Sequence, residues 1–341
     1  MPANPEVVVV IPNYNGQERL RQCLTSVFRQ TYTHFTVVVV DNASSDASCV
    51  IVAKEFPQIR LIRNQNNAGW GEACNIGMRA VASRYALVLN NDAYLDDRCL
   101  AVMVQALEAH PECSACACRI LLWDQPELAE VCGLAIYPDG SSCARGRLEP
   151  AAQYNKTEEV FAASGCCALY RRSLFETVGY FDPDFFMYCD DTDIGWRSQL
   201  IGLKCIYTPD ALVYHSHSQA AGSYSELKAF HVERNRIWVA MKHFSLPHLL
   251  LGFFYALARY ADQLYLALCR KKGALAQFRK KSSLGAGFLL LLKAHIAAFS
   301  KVPTIWQKRR AIQKLRKITN RDIDGLFERF GVTTRQMAGY E

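Results

Sequence analysis

Three carboxylates crowd into the segment FFMYCDDTDIGW, residues 185–196, among aromatic and sulfur-bearing side chains. They are Asp190, Asp191 and Asp193. Nearby negative charges and apolar surroundings both disfavour ionisation, so one carboxylate gains the proton affinity that a general base needs. Its neighbours could orient it or hydrogen-bond an incoming hydroxyl. The alternative is a helix N-terminus with solvated acids, because carboxylates also suit the positive end of a helix dipole.

A second candidate group follows two apolar runs. Asp92 comes after Tyr85–Leu89 and a pair of asparagines, where a carboxylate can hold a divalent cation through oxygen. His215 and His217 come after Ala211–Tyr214, and at i and i+2 on extended chain they point the same way. Oxygen and imidazole ligands together fit Mn²⁺ or Mg²⁺ better than structural zinc. The structural alternatives are a strand-end turn for the aspartate and surface positions for the histidines.

Buried strands alternating with helices must position these residues. Val7–Ile11, Phe35–Val40 and Tyr85–Leu89 are apolar runs typical of buried parallel strands, and amphipathic segments lie between them. This alternation predicts an open α/β sheet, in which ligands bind at the carboxyl ends of the strands. No GxGxxG follows the first strand and the chain has no GxxxxGK[ST], which argues against dinucleotide oxidoreductases and P-loop enzymes.

Later segments carry the candidate residues themselves. The pattern predicts a short helix over Arg171–Val178 and a helix over Asp190–Leu200 that opens at the acidic cluster. It predicts two short strands over Lys204–Tyr207 and Ala211–Tyr214, the second leading to the histidine pair.

Six ordered motifs resemble those of the family-2 glycosyltransferases, inverting enzymes of GT-A fold. The nearest resemblance is to rhamnosyltransferase-like members that build bacterial surface polysaccharides. The motifs cover about residues 6–240: VVVVIPNYNG, VVVVDNASSDAS, NQNNAGWGEACNIG, ALVLNNDAYLD, ASGCCALYRRSLFETVGYFDPDFFMYCDDTDIGWR and VYHSH. The resemblance implies an α/β fold of GT-A type, a Rossmann-like open mixed sheet flanked by helices.

The resemblance also implies roles for individual residues. The implied donor-binding residues are Pro12, Asn13, Tyr14, Asp41, Asn67, Gly69, Asn75 and Asn91. Asp191 is the implied base, with Asp190 and Asp193 in support, and Asp92 is the implied ligand of the metal on the donor diphosphate. This sequence departs from the family pattern in having Asn90 in place of the first acid of the DxD-type motif. One carboxylate holds a divalent metal less firmly than two, so a helper such as His215 gains importance.

Charge is distributed unevenly along the chain. The net charge is +7, yet residues 240–320 contain 16 Lys or Arg and one acid, Asp262. Two apolar stretches in this region, LPHLLLGFFYALARYADQLYLAL and LGAGFLLLLKAHIAAF, are interrupted before the run of about 20 residues that spans a bilayer. The composition predicts helices that lie in the headgroup layer of an anionic membrane. A helical hairpin docked on the catalytic domain or on a dimer partner is the alternative, and no nucleic-acid-binding motif accompanies the charge.

The fourteen cysteines are irregularly spaced and the N-terminus lacks a signal-peptide pattern, which favours reduced thiols in a cytosolic protein. The predicted organisation is a catalytic domain over residues 1–240, with donor and acceptor halves at 1–100 and 101–240. A basic amphipathic helical, membrane-associating segment follows over 241–320, and a tail over 321–341.

The predicted function is inverting transfer of a sugar from a nucleotide-diphosphate donor to a polyprenyl-diphosphate-linked saccharide, assisted by Mn²⁺ or Mg²⁺. The resemblance favours dTDP-rhamnose as donor, with a UDP-hexose as the alternative. We expect the protein to lie peripherally at the cytoplasmic face of the inner membrane. Its expected partner there is an anionic membrane surface, and nucleic acid is not an expected partner. The sequence is compatible with a homo-oligomer. Rival interpretations are an inactive sugar-nucleotide-binding protein and a sugar nucleotidyltransferase, although the latter's Gly-rich phosphate loop is missing after the first strand.

Overall fold

The computed structural model describes residues 5–216, 225–270, 273–279 and 283–339, and within it the chain divides into two compact units. The first unit comprises Met1–Leu134, Ala144–Ser198 and Leu203–Ala220. The second unit comprises Ala135–Cys143, Gln199–Gly202 and Ala221–Glu341.

The described part of the first unit is built on a mixed sheet of ten strands in the order β10-β12-β6-β11-β4-β1-β2-β3, with β5 on β12 and β7 on β6. Its strands are β1 (Val7–Asn13), β2 (Phe35–Asp41), β3 (Arg60–Arg63), β4 (Tyr85–Leu89), β5 (Ala93–Leu95), β6 (Cys113–Leu122), β7 (Gln125–Val131), β10 (Glu158–Val160), β11 (Cys167–Arg171) and β12 (Lys204–His215). A separate pair is formed by β8 (Leu134–Ile136) and β9 (Ser142–Ala144).

Helices cover this sheet: α1 (Gln17–Phe28), α2 (Ser48–Glu55), α3 (Trp70–Ala80), α4 (Cys99–Ala109), α5 (Arg172–Val178) and α6 (Asp190–Leu200). The predicted bounds of α6 are confirmed. Strands β1, β2 and β4 are parallel neighbours and almost wholly buried, as their continuous apolar runs predict. A Cβ at Gly77 of α3 would lie 2.3 Å from a methyl of Val10, so a glycine is needed where this helix approaches β1.

One predicted division is wrong. The segments expected to be two short strands, over Lys204–Tyr207 and Ala211–Tyr214, belong to the single strand β12. The chain stays extended through the intervening residues, and β12 changes its register with β6 between Thr208 and Leu212. Such an irregularity keeps a strand continuous while it interrupts the alternation that marks it in sequence.

The second unit is mainly helical in its described part: α7 (Glu226–His243), α8 (Leu246–Tyr265), α9 (Ala274–Arg279), α10 (Leu284–Ser300), α11 (Val302–Leu315), α12 (Asn320–Phe330) and α13 (Thr334–Gly339). Helix α7 packs against α10 and α11, and α8 packs against α13. C-terminal helices are therefore present, as predicted. Among the described helices none is by itself long and apolar enough to cross a membrane, whereas the pair Gly285–Ser300 and Val302–Leu315, bent by 60°, passes that length and composition test.

A buried ion cluster orders the second unit. Arg259 of α8 donates to Asp139 at 2.6 Å and to Glu233 of α7 at 3.3 Å. Arg236 of α7 also pairs with Glu233, and all four side chains are nearly inaccessible. Burial alone would raise the pKa of Glu233, but Arg236 and Arg259 hold it well below its usual value. The cluster thereby fixes which side of α8 faces inward.

Candidate active site

The carboxyl ends of three parallel strands are joined by a network of side-chain amides. Asn13 at the end of β1 donates to Asp41 at the end of β2 over 2.8 Å, where the two residues are register partners. Asn91, just beyond β4, donates to the side-chain oxygen of Asn13 over 2.8 Å. Asn13 and Asp41 are buried, so the network forms a polar floor at this edge of the sheet. Three predicted donor-binding residues therefore lie together.

The loop after β1 exposes the ring of Tyr14 beside this polar floor. Pro12 is buried within β1, whereas Tyr14, two residues later, is 46% exposed. Ser44 donates its backbone N–H to the second oxygen of Asp41 over 3.0 Å and stabilises the turn after β2. This arrangement can present a ring and a carboxylate to a nucleoside.

The segment before α3 is held by close backbone contacts. Gly69 has φ +87°, and a Cβ there would lie 2.3 Å from the carbonyl oxygen of Phe186. Trp70 donates its backbone N–H to that same oxygen over 2.7 Å. The side chain of Asn67 accepts the Gly69 N–H over 3.0 Å. A glycine is required at this point because a side chain would collide with the loop that leads to α6.

Asn75, another predicted donor-binding residue, serves the same loop. Its side chain is fully buried, donates to the carbonyl oxygen of Phe181 over 2.8 Å and accepts the Phe181 N–H over 3.0 Å. The structure therefore places Asn75 as a brace between α3 and the chain that precedes the acidic cluster.

Asp191 is the carboxylate of that cluster that remains partly exposed. Its Oδ2 accepts the backbone N–H of Gly165 over 3.0 Å, and its Oδ1 accepts the backbone N–H of Thr192 over 2.8 Å. Burial raises the pKa of Asp191, although the N–H donors of Gly165 and Thr192 oppose the rise. A carboxylate with fixed orientation and increased proton affinity is suited to accept a proton from a hydroxyl.

Asp190 has a different environment on the same helical turn. It is 3% exposed, and its Oδ1 has no hydrogen-bond partner among the described residues. A Cβ added at Gly71 would lie 2.5 Å from that oxygen, so the carboxyl is packed directly on the start of α3. Burial, followed by the charges of Asp191 and Asp193, raises the pKa of Asp190 well above its usual value. Burial thus favours its neutral form, which lessens the negative charge beside Asp191.

Asp193 faces the protein interior. It pairs with Arg197 one turn later over 2.7 Å, and both side chains are buried. Arg197 in turn donates to the carbonyl oxygens at the end of α5, those of Val178, Gly179 and Tyr180. Asp193 therefore supports Asp191 only indirectly, by orienting the arginine that ties α6 to the preceding loop.

The candidate metal residues converge at the end of β12. His215 pairs with Ala93 across the sheet, and its Nε2 lies 3.1 Å from Oδ1 of Asp92. Its other ring nitrogen lies 2.9 Å from a carboxylate oxygen of Glu130 in β7. His217, the third predicted ligand, lies outside the described residues.

Asp92 and His215 fit a divalent cation as a partial ligand set. A carboxylate oxygen of Asp92 faces the Nε2 of His215. The Nδ1 of His215 is hydrogen-bonded to Glu130, and carboxylates commonly orient metal-binding histidines in this way. Among the described residues no group of three or more His, Cys, Asp or Glu side chains is arranged to hold a metal by itself. The residues therefore suit a cation that takes its remaining ligands from a bound diphosphate and water.

A short path of backbone contacts connects the two candidate groups. Gly165 holds Asp191, and the next residue, Cys166, accepts the backbone N–H of Asn90 over 2.8 Å. Trp70 donates its indole N–H to the side-chain oxygen of Asn90 over 2.9 Å. The predicted base and the Asn90–Asp92 turn thus lie at the adjoining ends of β11 and β4.

Sequence reasoning missed Glu130, Trp70 and Gly165. Glu130 carried one signal, an acid inside an otherwise apolar strand end, whereas its pairing with a histidine 85 positions away carried none. Gly165 acts through its backbone N–H, which has no sequence signature, and Trp70 acts through an asparagine 20 positions away.

Comparisons with known proteins identify the family of the chain. A model of the family described as glycosyl transferase family 2 matches residues 8–179. N-acetylglucosaminyl-diphospho-decaprenol L-rhamnosyltransferase of Mycobacterium tuberculosis (strain ATCC 25618 / H37Rv) is 26% identical over 273 residues, 69% of this chain and 84% of the relative. Poly-beta-1,6-N-acetyl-D-glucosamine synthase of Staphylococcus epidermidis is 23% identical and covers 59% of this chain and 47% of the relative.

Solved structures give the same fold. The mannosyltransferase PcManGT from Pyrobaculum calidifontis, in complex with GDP-Man and Mn²⁺, has a TM-score of 0.54 at 19% identity and covers 96% of this chain and 88% of its own. GalNAc-T7 with UDP, GalNAc and Mn²⁺ has a TM-score of 0.59 at 16% identity, with 82% and 55% covered. Similarity at this level shows the fold alone, and it confirms the predicted GT-A architecture.

Proposed function

Because the chain belongs to glycosyl transferase family 2, we propose that it moves a sugar from a nucleotide-diphosphate donor to a saccharide hydroxyl with inversion at the anomeric carbon. The observation that carries this proposal is the partly exposed carboxylate of Asp191, held by the Gly165 N–H at the strand end next to the Asn90–Asp92 turn. In an inverting transfer the acceptor hydroxyl attacks the anomeric carbon on the face opposite the leaving diphosphate. The base and the residues that bind the diphosphate must therefore lie at the same edge of the sheet.

The polar floor binds the nucleoside. Asp41 keeps its carboxylate at the end of β2 through Asn13 and Ser44, and Tyr14 offers an exposed ring within two residues of β1. A carboxylate can accept the hydroxyls of a ribose, and a phenol ring can stack on a base.

Asp191 accepts the proton of the acceptor hydroxyl as that oxygen attacks. The neutral form of Asp190 lessens the charge repulsion on Asp191, and the Gly165 N–H fixes the direction of the carboxylate. General base catalysis is typically worth about 10²–10⁴-fold in rate.

Asp92 and His215 would hold Mn²⁺ or Mg²⁺, which supplies positive charge to the leaving diphosphate when bound. Glu130 keeps the ring of His215 turned towards Asp92. Replacement of Asp92 by alanine should weaken donor and metal binding together, and unchanged donor affinity in calorimetry would show that this assignment is wrong.

The proposed donor is dTDP-rhamnose and the proposed acceptor a polyprenyl-diphosphate-linked saccharide. Support comes from the mycobacterial relative, whose name specifies L-rhamnosyl transfer and an N-acetylglucosaminyl-diphospho-decaprenol. A UDP-hexose is the second donor candidate, because GalNAc-T7, a protein of similar fold, was solved with UDP.

A direct test uses the purified full-length chain. Thermal unfolding is followed with dTDP-, UDP- and GDP-sugars, with and without Mn²⁺, and a donor at 100 times its dissociation constant should stabilise by about 2.7 kcal/mol. The stabilising donor is then supplied with a synthetic polyprenyl-diphosphate N-acetylglucosamine, and the anomeric configuration of the product is read by NMR. Stabilisation without transfer to any saccharide acceptor would favour the inactive binding protein, and retention of configuration would exclude the inverting mechanism.

A further inference from the structure

Helix α8 has one buried side and a broad exposed apolar side. Gly252, Ala256 and Arg259 form the buried seam at i, i+4 and i+7, with Arg259 anchored in the ion cluster. The residues two positions before each of them point the opposite way on a helix. These are Leu250, Phe254 and Leu257, of which Leu250 is 67% exposed and Phe254 60% exposed.

Helix α10 repeats this division. Ala294 and Ala298 are buried, and Trp238 of α7 donates its indole N–H to the carbonyl oxygen of Ala298 over 3.0 Å. Phe288, Ile296 and Phe299 lie exposed on the same helix, with Phe288 at 69%. A soluble surface seldom leaves aromatic and long aliphatic side chains open along two whole helices.

The two helices approach each other at one point in the second unit. Both contact α7, and the rings of Tyr260 in α8 and His295 in α10 are 6.4 Å apart. Both helices therefore expose apolar side chains on the same unit. We define the α8–α10 face as Leu250, Phe254, Leu257, Phe288, Ile296 and Phe299.

Basic residues accompany this face in sequence. Arg270 lies five residues beyond α8, Lys293 lies within α10 and Lys301 directly follows it, and all three are exposed. Asp262 is the one acid in residues 240–320. Lys293 stands between the apolar residues of α10, where a long side chain can bury its methylenes and carry its ammonium to water. The charge pattern favours a headgroup layer.

We propose that the α8–α10 face docks into the headgroup and acyl boundary of a bilayer that contains anionic lipid. The apolar side chains enter the boundary, and the accompanying lysines and arginines contact lipid phosphates. A second copy of the chain is a poorer occupant, because it would bring another strongly basic surface against this one. This docking goes beyond the proposed function, since it requires neither donor nor acceptor.

The experiment is vesicle flotation of the full-length chain at low salt. Vesicles are pure phosphatidylcholine or an equimolar mixture of phosphatidylcholine and phosphatidylglycerol. We expect binding to the anionic vesicles, and the variant F254S/F288S/F299S should bind them at least about tenfold more weakly. The control is Val50→Ser, which replaces a valine 49% exposed on α2 and should bind like the unaltered chain.

A second variant separates charge from insertion. K293Q/K301Q should weaken binding to the anionic vesicles and leave the apolar face intact, whereas Lys54→Gln, an exposed lysine of α2, should have no effect. Circular dichroism and donor-induced thermal stabilisation establish that each variant is folded, and they also keep failure of docking distinct from failure of donor binding.

Three results would overturn the proposal. In the first, the unaltered chain stays entirely in the unbound fraction. In the second, the F254S/F288S/F299S variant floats as well as Val50→Ser. In the third, sedimentation velocity shows a dimer of the unaltered chain but not of the triple variant, and neither protein floats. The last result would assign the face to a second copy of the chain.

Discussion

Asp191→Asn tests the proposed base with little change of shape. The carboxylate accepts one backbone N–H at each oxygen, from Gly165 and from Thr192. An amide keeps one acceptor and turns its NH₂ towards the other donor, so we expect the loss of about one hydrogen bond, or roughly 1 kcal/mol of unfolding free energy. Burial also raises the pKa of Asp191, so removal of an ionisable group from this position partly offsets that cost.

The catalytic loss should be far larger than the loss of stability. Without a base the rate should fall by about 10²–10⁴-fold, which corresponds to about 2.7–5.4 kcal/mol of barrier at 1.36 kcal/mol per tenfold. Single-turnover transfer at saturating donor measures the chemical step, and calorimetry measures donor affinity separately. Donor affinity should stay nearly unchanged, because the polar floor that we propose binds the nucleoside is formed by Asn13 and Asp41 and does not include Asp191.

The pH profile gives an independent check. A base works in its deprotonated form, so the rate of the unaltered enzyme should fall as the pH is lowered through the raised pKa of Asp191, and the residual rate of Asp191→Asn should not follow that step. Asp210→Asn is the matched control, since it removes an exposed carboxylate from β12 of the same unit. A rate for Asp191→Asn within threefold of the control would show that Asp191 is not the base.

Three further predictions concern the elements around the site and the second unit. Asp139→Ala removes a carboxylate that lies 2.6 Å from the buried guanidinium of Arg259. The free energy of unfolding in urea should fall by about 3–5 kcal/mol, because the substitution leaves that charge unpaired. A fall of less than about 1 kcal/mol would show that Arg259 does not depend on Asp139 for its charge partner. Gly69→Ala places a Cβ 2.3 Å from the carbonyl oxygen of Phe186 at positive φ and should cost about 1–3 kcal/mol in thermal unfolding, whereas Gly325→Ala, with open space around it, should be neutral or slightly stabilising. The pKa of Asp190 is raised in the folded state above its usual value of 3.8. The unaltered chain should therefore lose stability as the pH rises from 3.8 through the folded-state pKa, and Asp190→Asn should lose less over that range. Parallel profiles of urea unfolding against pH for the two proteins would contradict the raised pKa of Asp190.

Local patterns in the sequence were enough to predict several elements. The apolar runs of β1, β2 and β4 and the bounds of α6 follow from short-range periodicity, which depends on neighbouring residues alone. The polar residues at the strand ends were predicted to share a site because the ends of parallel strands meet at one edge of a sheet. That inference needed the alternation of strands and helices, and no knowledge of any individual contact.

The division of labour within the acidic cluster could not be predicted in this way. Asp190, Asp191 and Asp193 are alike in composition, yet one packs against α3, one faces the Gly165 N–H and one pairs with Arg197. Neighbouring residues on a helix point in different directions, and residues three apart, which share a face, still lie one turn from each other. The surroundings of all three carboxylates come from elements that lie far away in sequence.

Long-range pairing accounts for the other differences. The sequence alone predicts an open α/β sheet, an acidic segment that opens α6, and a basic apolar C-terminal region, because each follows from residue type and spacing. The GT-A type of that sheet was implied by the resemblance to a known family. The tertiary structure adds the Glu130–His215 contact, the continuity of β12 across its irregularity and the outward direction of α8 set by Arg259. Such contacts depend on which strands and helices pack together, and residues that meet only after folding leave no periodic trace along the chain.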